Sequence, residues 1–474
     1  MNDGQLRRRL ADSCPWWTRP AAWERDDPDL RAIADSPFAY EPEPLRDIAP
    51  PGLYMLRGPR RIGKGVELKR TIARLLATGV NPRAIFFIAC DGLNPQELRR
   101  VVTVGLRDIP RVEGPRYWLL DEVTAVKRWS VVVKELRDQN TAFREGCVVL
   151  TGSSARNLRE ATSNLADRRG GAADSDRLLL PMGFRQFCAA IDDVADVPPA
   201  VVRPRDFLTE RAAAALHDLH PWWAELDDRW QLFLRVGGFP RAVRDFVRDG
   251  VVGQGFLNGL ADLIGGDAFS TTAMSEVQVN ALLEQLVRSL GTPVNASRLA
   301  RDIDLPDNEA VEIRIGSLVL AFLAWRCHRL KNGLPNPKAQ RKVYFADPIV
   351  ARLMHLRDAR YADPDLSLLS EQQIGLALTR AVAPDAPSAF VESSEVMYDQ
   401  SASRSEIDFA GPRLAVPFES KYIDGAWRRG AQAMHARYGH GVLVTRSAYD
   451  IEGGDPALWA VPAGMVAWAP DSST

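Results

Sequence analysis

Residues 52–70 read GLYMLRGPRRIGKGVELKR: an apolar run that breaks at a glycine, a loop of small and basic residues, and a lysine opening an amphipathic stretch. No other segment constrains the fold as much. A buried strand that turns directly into a helix commits the two to adjoining layers of an α/β sheet. Gly58, Gly63 and Lys64 have the spacing of a phosphate-binding loop. In such a loop the backbone N–H groups from Gly58 through Arg60, Arg61, Ile62, Gly63 and Gly65 curl around phosphate oxygens, and Lys64 supplies a point charge. The residue after the lysine departs from the pattern. A Ser or Thr hydroxyl normally binds magnesium there, and this chain has Gly65. The next hydroxyl, Thr71, is more than a helical turn too far along. Phosphate binding by backbone and lysine is expected to survive, with hydrolysis slow or conditional.

The same alternation recurs. AIFFIACDG, RYWLLDE and GCVVLTGSS read as buried strands, with helical patterns between them in PQELRRVVTVGL and VVVKELRDQ. Apolar strands alternating with helices imply a mostly parallel sheet covered on both faces, with ligands at the carboxyl ends of the strands. Two further polar signals fall at those ends. Asp121 is placed to bind magnesium and Glu122 to polarise the attacking water, while Thr151 and Ser153 lie within reach of a γ phosphate. The expected ligands are ATP and Mg2+.

Composition excludes other classes. The chain has 474 residues, 46% apolar and 26% charged, which suits a multi-domain globular protein with sizeable cores. The longest apolar run, SLVLAFLAW, has about half of the ~20 residues that a membrane-spanning helix needs. The N-terminus MNDGQLRRRLADS is charged where a signal peptide would be apolar, so a cytoplasmic protein without membrane contact is expected. Five scattered cysteines and the pair His217 and His220, which has no acidic or cysteine partner at metal-site spacing, read as structural. A net charge of −1 says nothing about partners, because binding responds to local charge.

The blocks CPWW, RDDPDLRAIADSPFAYEPEPL, GLYMLRGPRRIGKG, YWLLDEV, VVLTGSSARNLRE, LADRRGG, RLLLPMGFRQF and VGGFPRAV resemble, in order, those of a bacterial and archaeal AAA+ type ATPase family. Members carry a C-terminal nuclease-like domain of uncharacterised function. The resemblance implies that Lys64 is the P-loop lysine, that Asp121 and Glu122 are the Walker B acids, and that Ser153 is the sensor residue. It also implies that Arg168 of LADRRGG can meet a γ phosphate. Arg241, after GGFP, is a weaker candidate for that work, and a surface ion pair is the better reading of it. Family members usually have Thr where this chain has Gly65.

The implied architecture is an N-terminal segment with a P-loop AAA+ type parallel sheet over 1–191, a helical lid over 204–275, a winged-helix-like connector over 276–362 and an α/β nuclease-like domain over 363–474. DDVADVPPAVVRPRD is the proline-rich linker before the lid. In the connector, Asn295 or Ser297 caps one helix, and Pro306 with Asp307 opens the next. That second helix carries Asp307, Glu309 and Glu312 against Arg314, a poor complement to base edges. From Arg314 to Lys342, however, there are seven basic residues and no acidic one. This stretch is expected either to lie on nucleic-acid phosphates or to form a solvated basic wing.

SEIDFAGPRLAVPFESKY reads as strand, turn at Gly411 and Pro412, strand. Glu419 and Lys421, two apart on the second strand, share a face. Asp408, Glu419 and Lys421, with an earlier helical acid such as Glu371, resemble the PD-(D/E)xK nuclease constellation. There Asp408 and Glu419 would hold a metal ion and Lys421 would orient water. Pro417 marks an edge or bulge. Two functions are therefore expected. In the first, slow ATP turnover gates a nuclease-like domain acting on nucleic acid. In the alternative, a nucleotide-dependent switch or scaffold, as a homo-oligomer or with a protein partner, carries an inactive nuclease fold.

Overall fold

The apolar runs become strands where the alternation requires it. The computed structural model describes residues 1–38, 40–109, 112–152, 165–172, 175–191, 196–199, 201–269, 274–382, 395–401, 405–423, 427–451 and 457–469. The chain separates into two units, Met1–Leu180 and Pro181–Thr474.

In the first unit, β1 (Gly52–Arg57), β2 (Ile85–Ala89), β3 (Tyr117–Asp121), β4 (Cys147–Thr151) and β5 (Asp176–Leu178) form an all-parallel sheet in the order β2-β3-β4-β1-β5. The side chains of β1 and β4 are all buried, those of β2 and β3 mostly so, and those of the edge strand β5 half-buried. Helix Pro95–Asp108 turns Leu98, Val101, Val102 and Val104 into the core behind an Asn94/Glu97 capping box. The N-terminal segment packs on the same sheet: Trp16 and Trp17 both donate their indole N–H to the Ile85 carbonyl, so this aromatic pair is a packing anchor.

The second unit begins with helices. Helix Phe184–Ile191, within the span read above as the first domain, belongs to it, as do Trp223–Val236 and Pro240–Asp249. Helices Glu276–Arg288, Ala296–Asp302 and Asn308–Leu320 follow, the last two capped by Asn295 and Asp307. Strands β6 (Ala324–Cys327), β7 (Leu330–Lys331), β8 (Leu334–Pro335) and β9 (Lys342–Phe345) then form two antiparallel pairs, β6 with β9 and β7 with β8.

After β9, Asp347 caps helix Pro348–Arg357 and accepts the Gly238 N–H at 2.7 Å. A Cβ on Gly237, at φ 77°, would stand 2.1 Å from the Asp347 carboxylate. The GGFP segment is thus a docking seat for a buried acid, and Arg241 beyond it is exposed.

Helix Leu366–Val382 precedes a mixed sheet of β10 (Met397–Gln400), β11 (Glu406–Ala410), β12 (Phe418–Lys421), β13 (Gly441–Thr445) and β14 (Leu458–Pro462), in that spatial order. β10, β11 and β12 pair antiparallel, while β12, β13 and β14 pair parallel. The turn expected at Gly411 joins β11 to β12, and these two share the single register pair Phe409 with Phe418 just beyond Pro417. All five cysteines are buried and free. His220 stacks on Tyr449, a packing role. No described helix is long and apolar enough to cross a membrane.

Candidate functional site

The loop after β1 is shaped by two glycines. Gly58 has φ 149°, and a Cβ there would lie 2.0 Å from the Leu179 carbonyl oxygen, so no other residue fits. Gly63, at φ 104°, delivers the chain into helix Lys64–Ala77. Between them Ile62 is buried, while Arg60 and Arg61 are exposed and Arg61 takes a left-handed φ of 62°. Lys64 is buried, and its Nζ folds across the loop to donate to the Gly58 and Pro59 carbonyls, each at 2.9 Å. Its charge therefore sits inside the curl of backbone where a phosphate would lie.

Gly65 follows in the first turn with no positive φ. A Cβ there would approach Asp121 Oδ2 to 3.2 Å. The position of the missing hydroxyl thus adjoins the acid at the end of β3. Thr71 stays out of reach, its hydroxyl donating to the Glu67 carbonyl.

Strand β4 runs between β1 and β3, which puts Thr151 in register with Leu56 and level with Asp121. Its hydroxyl donates to Asp121 Oδ1 at 2.5 Å and accepts the Glu122 N–H at 3.0 Å. Glu122 is held at a left-handed φ of 52°, and Thr124 donates to its Oε1 at 3.3 Å. Burial pushes the Asp121 carboxyl up, against the Thr151 hydrogen bond, which pulls it down. The structure thus gathers Gly58, Ile62, Gly63, Lys64, Gly65, Asp121, Glu122 and Thr151 at the carboxyl end of one sheet. These residues fit a magnesium-bound nucleoside triphosphate. Ser153 lies outside the described residues.

Arg168 is not gathered there. It sits beside Gly170, which bridges to Gly52 at the opposite, amino end of β1. Its guanidinium forms a two-pronged pair with Asp138 at 2.8 and 3.0 Å. The β1 strand itself, at ~3.3 Å per residue, separates this arginine from the loop of the same chain. The family resemblance implied a phosphate contact; within this chain the arginine is paired with Asp138 instead.

A second polar cluster lies in the C-terminal sheet. Glu371 faces it from helix Leu366–Val382, Glu406 and Asp408 from β11, and Glu419 and Lys421 from β12. Lys421 Nζ meets Glu419 Oε1 at 2.6 Å. Asp408 accepts the Ser420 N–H at 2.9 Å, and Glu419 accepts the Asp408 N–H at 3.2 Å. At the centre is a residue that sequence reasoning placed in the basic stretch. Lys342 on β9 is 0% exposed, and its Nζ lies 2.7 Å from Glu406, 3.0 Å from Asp408 and 3.1 Å from Glu371. The signal was the alternation in KVYF, which puts Lys342 and Tyr344 on one face, and Tyr344 also donates to Glu371.

Burial and the neighbouring Asp408 push Glu419 up to about 7, and the same two causes raise Glu371. Burial alone would lower Lys342, but Tyr344 and the carboxylates of Asp408, Glu371 and Glu406 override that and push it well up. Among the described residues no group of three or more His, Cys, Asp or Glu side chains is arranged to hold a metal ion. Glu371 and Asp408 do not fit one in this arrangement, because the Lys342 ammonium takes an oxygen of each, and an oxygen of Glu419 is taken by Lys421.

The rest of the basic stretch is also largely engaged. Arg326 and Arg341 pair with Glu312 at 3.1 and 3.2 Å, and Arg329 donates to the Gln400 carbonyl. Lys331 and Lys338 are exposed.

Residues 51–188 match a family profile described as an AAA domain. This stretch is similar to an AAA domain and spans less than half of the chain. The loop, Lys64, Asp121 and Thr151 all lie within the matched stretch, and residues 227–360 match a domain of unknown function. No curated protein matches the chain. Solved structures similar to it include the Walker-type ATPase PABY2304 of Pyrococcus abyssi, 14% identical over 70% of this chain and 95% of that one, with a TM-score of 0.37. Another is the Aeropyrum pernix ORC1 protein in complex with DNA, 15% identical over 73% and 96%, TM-score 0.29. The CDC6P protein of Pyrobaculum aerophilum is 13% identical over 75% and 99%, TM-score 0.22.

Proposed function

We propose that the chain is an ATP-dependent switch that turns its nucleotide over slowly and uses the nucleotide state to control a nuclease-like second unit acting on nucleic acid. The observation that carries the nucleotide reading is the juxtaposition of Lys64, the bare first turn at Gly65, and the Asp121–Thr151 hydrogen bond. Lys64 would hold the phosphates and Asp121 the magnesium ion, whose charge, when bound, stabilises the departing phosphate. Glu122 is the base for the attacking water, with its backbone pinned by Thr151. Gly65 contributes no hydroxyl, so a bound magnesium ion would lack a side-chain ligand from this position, and turnover would be slow.

The nuclease-like reading is supported by the order of helix, three antiparallel strands, helix and parallel strand, with Glu371, Asp408 and the Glu419–Lys421 pair on its successive elements. Domain limits at 204–275, 276–362 and 363–474 remain our division of the second unit; the three helices and β-ribbon of its middle part support the winged-helix-like description. Exposed Lys331 and Lys338 offer the phosphate contacts. A second reading, in which the nuclease-like fold is inactive and serves as a scaffold for a protein partner, is favoured by the central position of Lys342.

Titration calorimetry with ATP and magnesium tests the switch, and incubation with DNA and RNA in magnesium or manganese, with and without ATP, tests the second unit. Cleavage lost in both Asp408→Ala and Lys421→Ala supports the nuclease-like reading. Absence of cleavage supports the scaffold, and absence of ATP binding overturns both.

A further inference from the structure

Four carboxylates, Glu371, Glu406, Asp408 and Glu419, meet two ammonium groups, Lys342 and Lys421, in one cluster. Three of the four spend an oxygen on Lys342. A hard divalent cation needs the same oxygens, at about 2.0–2.6 Å. An ammonium 2.7–3.1 Å from Glu406, Asp408 and Glu371 uses those lone pairs and fills the space between them. Lys342 is also fully buried, so water cannot take over its three ion pairs while it stays in place.

We propose that Lys342 is the resident cation of this cluster and that it competes with a divalent metal ion for Asp408 and Glu371. The cluster is closed to metal while the ammonium is seated and opens when it is withdrawn. This rests on the nuclease-like reading of the second unit and adds a control to it. The other ammonium, Lys421, is paired with Glu419 at 2.6 Å and is a third exposed. The closing cation comes from β9, which pairs with β6 and is not a strand of the sheet that supplies Asp408 and Glu419. The two halves of the device therefore lie in different elements of the fold.

The experiment is a manganese titration of the full, nucleotide-free chain, followed by calorimetry and by the electron paramagnetic resonance signal of free Mn2+, together with thermal melts. Lys342→Met should bind Mn2+ at least about ten-fold more tightly than the unaltered chain, and its melting temperature should rise with Mn2+ where that of the unaltered chain does not. Adding Asp408→Asn to this variant should remove the gain, which assigns the ion to the cluster. Should Lys342→Met fail to fold, Glu406→Gln loosens the lysine by one anchor and should raise Mn2+ affinity by a smaller factor. Equal Mn2+ affinity in the unaltered chain and in a folded variant overturns the proposal. If that chain also cleaves nucleic acid in an Asp408-dependent way, the nuclease-like reading stands without the lysine control. If no form binds Mn2+ at the cluster, both fall.

Discussion

Two buried lysines, one in each unit, are held in opposite ways. Lys64 donates to two neutral carbonyls of its own loop, whereas Lys342 sits among three carboxylates. A hydrogen bond to a carbonyl is worth about 1 kcal/mol net and is readily exchanged for a charged acceptor. An ammonium surrounded by buried acids is not, because taking it away strands charges that water cannot reach. The first arrangement is prepared for an incoming anion. The second is already neutralised, and admits a cation only in exchange. The lesson is that a lysine beside a glycine-rich loop and a lysine in an acidic cluster have opposite ligand preferences, although both count as basic residues in the sequence.

The comparison breaks first at Lys64. Lys64→Ala should lower ATP affinity by about a hundred-fold or more, ~2.7 kcal/mol, with the fold intact; equal affinity by calorimetry would show that the loop alone holds the phosphates. Asp347 extends the contrast to a buried acid held by N–H groups. Burial pushes its carboxyl up to about 7, although the N–H groups of Gly238 and Ile349 and the charge of Arg380 pull it down. Its contribution to stability is therefore full below the ordinary carboxylate range and is lost as pH rises through 7. Asp347→Asn should flatten the fall in stability between pH 5 and 7 by up to about 1.4 kcal/mol per pH unit, measured by urea denaturation. Parallel slopes in the two proteins would show that Asp347 titrates normally.

A smaller effect is expected at Gly65. Its backbone lies in helix with no positive φ, and the added Cβ meets only Asp121 Oδ2, at 3.2 Å. Gly65→Thr should therefore fold and raise steady-state ATP hydrolysis about ten-fold, ~1.4 kcal/mol of barrier. A folded, ATP-binding variant with an unchanged rate would mean that another group completes the metal shell. The smallest effect belongs to Arg168→Ala, which should leave ATP affinity within about two-fold, because the side chain pairs with Asp138 at the amino end of the sheet. A ten-fold loss would place it at a nucleotide after all.

The strand–loop–helix succession, the acid at the end of β3 and the Glu419–Lys421 pair were legible because each depends on neighbours a few residues away. The caps at Asn295 and Asp307 were legible for the same reason. The partners of Arg168 and Lys342 were not legible, because they lie far along the chain: Asp138 for the arginine, and Glu371, Glu406 and Asp408 for the lysine. Thr151, level with Asp121 across two parallel strands, had a visible signal in VVLTGSS, but only the sheet register showed that it bonds the acid.

What the sequence by itself determined is the set of local conformations: apolar runs that must be buried, glycines where the backbone turns left-handed, and a lysine and acids at strand ends. Only the tertiary structure decided which charges face one another. Coulomb energy depends on distance and burial, and the strand order β2-β3-β4-β1-β5 and the seating of β9 over the carboxylates set both for residues separated by tens of positions.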